Sequence, residues 1–203
     1  MMTISTVVSV LARGGPVMIP LAVCSVLSLA VILERARFWL RARAAGVGER
    51  VLELAAAGKW DDALERARAS RSPQARVLAA GLEHREGVPA QAMEAAARAE
   101  STRMRRALPV LDTIVTLSPL LGLMGTVTGM IAAFGVIATT GINQPHAITG
   151  GVAEALIATA AGLGVAIVTL VPHNYFQARA ERTLDEIESR GTELEVILES
   201  GRR

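Results

Sequence analysis

Cysteine and the side-chain patterns of catalytic or metal sites are scarce in this sequence. Cys24 is the single cysteine among 203 residues, so the chain has no internal disulfide and no zinc or thiol-redox spacing. The three histidines lie in unrelated places, and there is no Ser-His-Asp order or phosphate-binding loop. We therefore expect no enzyme activity, no cofactor and no metal.

Aromatic residues are also few, at 3% of the chain, which argues against the base-stacking surfaces of nucleic-acid-binding proteins. One short stretch, Arg103-Met104-Arg105-Arg106, is basic enough to attract a polyanion. It lies beside an apolar run, where positive residues usually anchor a membrane helix at the cytoplasmic interface. We expect Arg103, Arg105 and Arg106 to act as such anchors, and we expect no nucleic-acid partner.

Charge is nearly missing from three long apolar runs. Val17–Leu33 has none, Val110–Ala138 has Asp112 near its start, and Ile148–Val171 has only Glu154. At about 1.5 Å per residue, the third run is long enough to cross a hydrocarbon core of about 30 Å. These runs exclude a soluble enzyme. They predict an all-α membrane protein with three transmembrane helices, the second and third extended into a cytoplasmic helical region.

The charges predict the orientation of these helices. Fifteen of the 21 basic residues lie in the 44–108 block and its flanks, whereas 139–147 holds none. Because cytoplasmic segments carry the excess of Arg and Lys, this block and the C-terminal tail are predicted to be cytoplasmic. The predicted segments are an interfacial amphipathic helix (1–15), the first membrane helix with its cytoplasmic extension (16–45), a cytoplasmic helical region (46–108), the second membrane helix (109–138), an external turn (139–147), the third membrane helix (148–173) and a cytoplasmic C-terminal helix (174–203).

Polar residues at membrane depth are the candidate functional groups. A central acid costs roughly 2.5–3.5 kcal/mol on the insertion scale, so Glu154 needs a partner or a wet cavity. It either has a structural partner or serves a pore or a subunit contact. A threonine in a membrane helix, such as Thr126 or Thr159, commonly bonds back to its own helix, and this alternative stays open. Thr159 lies about 140° around the helix from Glu154, so the two cannot point at one spot.

Small residues line both of these helices and predict close helix packing. Gly125 and Gly129 form a GxxxG pair, with Gly122 one turn earlier. On the third membrane helix, small residues share one face at helical spacing with Thr159. The predicted packing or pore-facing residues are Gly122, Gly125, Gly129, Ala155, Ala158, Gly162 and Ala166.

Two motifs carry a family resemblance. LSPLLGLMGTVTGMIAAF (117–134) followed by GGVAEALIATAAGLGVAIVTLVPHNYF (150–176) resembles the MotA/TolQ/ExbB proton-channel family, in its ExbB and TolQ branch. The stretch AAGKWDDALERARASRSPQARVLAAGL (56–82) is also similar. The resemblance implies a multi-pass protein of the bacterial inner membrane with a periplasmic N-terminus, assembled as a pentamer among membrane lipids. It also implies an ExbD- or TolR-like partner with one membrane helix, which passes motion to a TonB- or TolA-like protein.

The resemblance further implies roles for single residues. The pore threonines of the family fall on Thr126 and Thr159, and the glutamate of its AEALxATA motif falls on Glu154. The expected function is an ExbB-like motor subunit that uses the proton motive force for energised outer-membrane transport. A TolQ-like or motility stator is one alternative, and a membrane scaffold that conducts nothing is another.

Overall fold

The computed structural model describes residues 14–42, 46–140 and 145–201, and helices dominate all three ranges. The predicted interfacial helix (1–15) lies almost wholly outside them, as does the middle of the predicted 139–147 turn. The helices are α1 (Met18–Ala42), α2 (Val47–Ala56), α3 (Trp60–Arg68), α4 (Pro73–Glu83), α5 (Pro89–Arg105), α6 (Leu108–Thr140) and α7 (Pro145–Ser200).

The predicted all-α class with three membrane-spanning helices is confirmed, because the described residues fold into helices and three of these, α1, α6 and α7, contain stretches long and apolar enough to cross a membrane. The chain divides into two compact units, with breaks between Leu33 and Glu34, between Arg106 and Ala107, and between Asn174 and Tyr175. We call the part with the apolar stretches the membrane unit and the remainder the bundle unit.

The membrane unit buries narrow stripes of small and branched side chains. The buried stripe starts at Val17, directly before α1, and continues on α1 with Leu21, Cys24 and Ser28, spaced three and four residues apart as on one helix face. Large apolar side chains such as Ile19 and Val26 are instead 71% and 67% exposed. A surface of this kind is suited to acyl chains or to other apolar helices, and in water it would be costly.

The bundle unit is built from short amphipathic helices with recognisable start and stop signals. The Ser72 hydroxyl accepts the Ala75 N–H at 3.2 Å and caps α4, whose first residue is Pro73. Gly58, with φ +73°, follows the end of α2 in the left-handed conformation that glycine adopts at low cost. The core of the bundle unit contains side chains that are each at most 1% exposed: Val51, Ala63, Ala67, Leu78, Leu82, Met104 and Leu194.

The last helix, α7, continues from Pro145 to Ser200 without a break. Sequence reasoning placed a boundary at 173/174, where the apolar run gives way to a charged one. Pro172 lies inside the helix. The change in composition therefore coincides with the boundary between the two units, after Asn174, but the helix continues through it unbroken.

Candidate functional site

Two membrane helices, α6 and α7, approach each other closely enough for their backbones to touch. A Cβ atom added to Gly122 would lie 3.0 Å from the Ala158 carbonyl oxygen, and one added to Gly162 would lie 2.5 Å from the Ser118 carbonyl oxygen. Contacts this short leave no room for a side chain. Glycine at these two positions is therefore a steric requirement of the α6–α7 contact.

The contact continues toward the N-terminal part of α7. A Cβ on Gly129 would meet the Gly151 carbonyl oxygen at 3.0 Å, and one on Gly125 would overlap the Ala158 side chain. Ala155 and Ala158 are 2% and 0% exposed. The structure thus places the three α6 glycines against α7. Ala166, further along α7, is also buried, at 8% exposed.

The Thr159 hydroxyl bonds across this contact. It donates to the Gly122 carbonyl oxygen at 3.1 Å, on the neighbouring helix. Thr126 and Thr169 instead bond back to their own helices, to the carbonyl oxygens of Leu123 at 2.6 Å and Val165 at 2.7 Å. Thr159 can reach across because Gly122 has no side chain to hold the two backbones apart.

Glu154, half-buried on α7, lies against the turn that precedes α1. A Cβ atom on Gly15 would overlap the Glu154 carboxylate, and Gly15 has φ +72°. The Gly15 carbonyl accepts the Met18 N–H at 3.1 Å, which closes the first turn of α1. Glu154 therefore faces the start of α1, whereas Thr159 faces α6. This agrees with the angle of about 140° expected from helix geometry.

This arrangement offers acid and hydroxyl groups at membrane depth. Glu154 can accept hydrogen bonds or carry a proton, and a threonine hydroxyl both donates and accepts. Among the residues that the structure describes, no group of His, Cys, Asp and Glu side chains is arranged to hold a metal ion. The chemistry available to these side chains is hydrogen bonding and, at Glu154, proton exchange.

Sequence reasoning missed the most deeply buried charged residue among those that the structure describes in the bundle unit. Arg35 is 2% exposed and donates to the carbonyl oxygens of Arg103 at 2.8 Å and Met104 at 3.4 Å. It also pairs with Glu34 at 2.5 Å. The available signal was spacing, because Arg35 falls seven residues after the buried Ser28 and continues the same face of α1.

The three arginines predicted as interface anchors differ in their surroundings. The Arg103 side chain pairs with Glu100 at 2.5 Å. Glu100 itself is only 3% exposed, and it also binds Arg76 at 3.1 Å. Arg105 and Arg106, at the end of α5, are exposed. Arg103 thus takes part in an ion-pair network inside the bundle unit.

Taken together, these features define a multi-pass helical membrane protein in which a close helix pair carries an acid and hydroxyls. The model of the MotA/TolQ/ExbB proton channel family matches residues 69–189, and the chain belongs to that family.

Named relatives agree with this assignment. The putative biopolymer transport protein ExbB-like 1 of Synechocystis sp. is 38% identical over 195 residues, covering 91% of this chain and 76% of the relative. The ExbB-like 3 protein of the same organism is 33% identical, covering 91% of both chains. The Tol-Pal system protein TolQ of Pseudomonas aeruginosa is 39% identical over 113 residues, covering 56% of this chain and 48% of TolQ.

Proposed function

We propose that this chain is an ExbB-like subunit of a proton-driven motor in the bacterial inner membrane. Five copies surround an ExbD-like partner with a single membrane helix, and proton flow drives work on a TonB-like protein for energised outer-membrane transport. The observation that carries the proposal is the family's pair of motifs on α6 and α7, with Glu154 and Thr159 directed at different neighbours.

The cost of an acid in hydrocarbon supports an assembly of several chains. Glu154 lies in the apolar stretch of α7, where a carboxylate costs a few kcal/mol unless protein or water surrounds it. Helices α6 and α7 also expose large apolar side chains, among them Ile131 on α6 at 66% and Ile167 on α7 at 63%. Such faces favour packing against sister subunits and lipid.

A proton pathway through Thr126, Thr159 and Glu154 fits the chemistry of these side chains. The hydroxyls, with water, act as neutral relay groups. We assign Glu154 to proton entry from the periplasmic side or to the contact between subunits. Its position beside the turn before α1 supports this assignment. Because the chain has few ionisable groups at this depth, the carboxylate of the partner's helix completes the pathway.

Proton flux into liposomes that contain the chain and its partner tests the proposal. We expect Glu154→Ala and Thr159→Val each to abolish flux and energised transport while the protein still inserts. Thr159→Ser keeps the hydroxyl and should retain flux. Thr169→Val is the matched control, because the Thr169 hydroxyl bonds only to its own helix in the described structure. Wild-type flux in Glu154→Ala would refute the role of the acid.

A TolQ-like role is the second candidate, favoured by the 39% identity with the Pseudomonas protein. Expression of the chain in strains that lack either the ExbB-type or the TolQ-type energiser distinguishes the two roles by which defect it rescues. A scaffold that conducts nothing would give no flux with or without the partner.

A further inference from the structure

Four of the eight residues that line a cavity of about 530 Å³ in the bundle unit are arginines. Arg37 and Arg41 come from α1, Arg71 precedes α4, and Arg76 lies within α4. Arg37 and Arg41 are four residues apart, so their side chains leave the same face of the helix one turn apart. Four guanidinium groups from two parts of the chain therefore surround one space.

The acidic residues of the cavity do not neutralise it. Glu100 is held by Arg76 at 3.1 Å and by Arg103 at 2.5 Å, and Glu34 pairs with Arg35 at 2.5 Å. Arg37, Arg41 and Arg71 form no ion pair with any carboxylate in the part of the chain that the structure describes. Three guanidinium groups thus remain available to an anion. Planar guanidinium groups bind the oxygens of phosphate in pairs, which makes phosphate the anion best suited to them.

The position of the cavity along α1 relates it to the membrane surface. The apolar run ends at Leu33, so Arg37 is about 6 Å and Arg41 about 12 Å further along the helix, at about 1.5 Å per residue. The headgroup layer extends roughly 5–7 Å beyond the hydrocarbon on each side of a bilayer. Trp39, the neighbour in sequence of the cavity-lining Phe38, is of a type enriched near this boundary. Arg37 is therefore at the level of lipid phosphates.

We propose that this cavity binds a phosphate group, which the headgroup of an anionic phospholipid supplies in the membrane. Arg37, Arg41 and Arg71 bind the phosphate oxygens. Arg76 is oriented by Glu100 and adds positive charge at the wall. The proposal requires only that α1 crosses a membrane and that the bundle unit forms this cavity. It therefore does not depend on which client protein the channel drives.

Binding to the purified, delipidated full chain in neutral detergent tests this site. Calorimetry measures the affinity for dihexanoyl-phosphatidylglycerol, dihexanoyl-phosphatidylcholine, inorganic phosphate and ATP. Arg37→Gln and Arg71→Gln each remove one guanidinium group from the cavity. Arg66→Gln is the matched control, since Arg66 is exposed on α3 and lies outside the cavity wall. Equal helix content by circular dichroism confirms that each variant is folded.

We expect one phosphatidylglycerol per chain, binding more tightly than phosphatidylcholine, whose choline cancels the phosphate charge. Each cavity variant should weaken binding at least about tenfold, as expected for a lost hydrogen bond to a charged group, and Arg66→Gln should not. Binding of inorganic phosphate or ATP with the same arginine dependence, but not of phosphatidylglycerol, would support the phosphate site and assign it to a soluble ligand. Saturable binding of none of these ligands, equal affinity for both lipids, or equal loss in Arg66→Gln would overturn the proposal.

Discussion

Replacing Gly162 by alanine tests how closely α6 and α7 pack against each other. The new Cβ would lie 2.5 Å from the Ser118 carbonyl oxygen, whereas ordinary contact begins at 3.4 Å, so the helices must separate by about 0.9 Å. Overpacking of this kind costs typically about 1–3 kcal/mol. Separation also weakens the bond from Thr159 to Gly122, and interhelical hydrogen bonds in membranes average about 0.6 kcal/mol. Alanine has a higher helix propensity than glycine, and this offsets up to about 1 kcal/mol of the loss in stability.

With the full helix-propensity gain subtracted, the expected net loss for Gly162→Ala is about 0.6–2.6 kcal/mol in the free energy of unfolding. Gly164→Ala is the matched control on the same helix, because a Cβ there has no heavy atom within 4 Å. This control should be neutral, or more stable by up to about 1 kcal/mol. Reversible unfolding in mixed dodecyl maltoside and dodecyl sulfate micelles, followed by circular dichroism, measures both variants. Equal midpoints for the two variants would refute the close contact.

Two further changes probe the bundle unit. Ser72→Ala removes the cap of α4 and should lower the free energy of unfolding by about 1 kcal/mol, and an unchanged denaturation midpoint would contradict the cap. Arg35→Met removes the donor to the carbonyl oxygens of Arg103 and Met104 and should cost about 2–3 kcal/mol in the same measurement. Arg66 is exposed, so Arg66→Met is the control. If it lowers the free energy of unfolding as much as Arg35→Met does, the buried hydrogen bonds of Arg35 do not account for the loss.

Some parts of this picture were accessible from local patterns. The three apolar runs predict the membrane helices because backbone groups in lipid must be satisfied within each helix, so composition and length alone select the fold class. Ser72-Pro73 predicts the start of α4 because both the cap and the fixed proline φ act within one turn. Glu154 was identifiable for a similar reason. An acid within an apolar run long enough to cross the membrane is costly, whatever its neighbours are, and the sequence alone shows that position.

Other parts required the neighbours themselves. Thr126 and Thr159 are the same residue type on similar helices, and no local pattern tells which one bonds across to another helix. Arg35 is buried because the end of α5, 68 residues further along the chain, presents its carbonyl oxygens to it. The arginine cavity likewise joins the end of α1 to α4.

The sequence by itself determined the number and approximate extent of the membrane helices, the glycines available for close contact and the acid that needs a partner. Only the tertiary structure decided that Thr159 faces α6, that Glu154 lies beside Gly15, and which carboxylates bind which arginines. The reason is physical. Helix formation and hydrophobicity are properties of short segments, whereas a hydrogen bond or an ion pair exists only when two distant segments come within about 3–4 Å of each other.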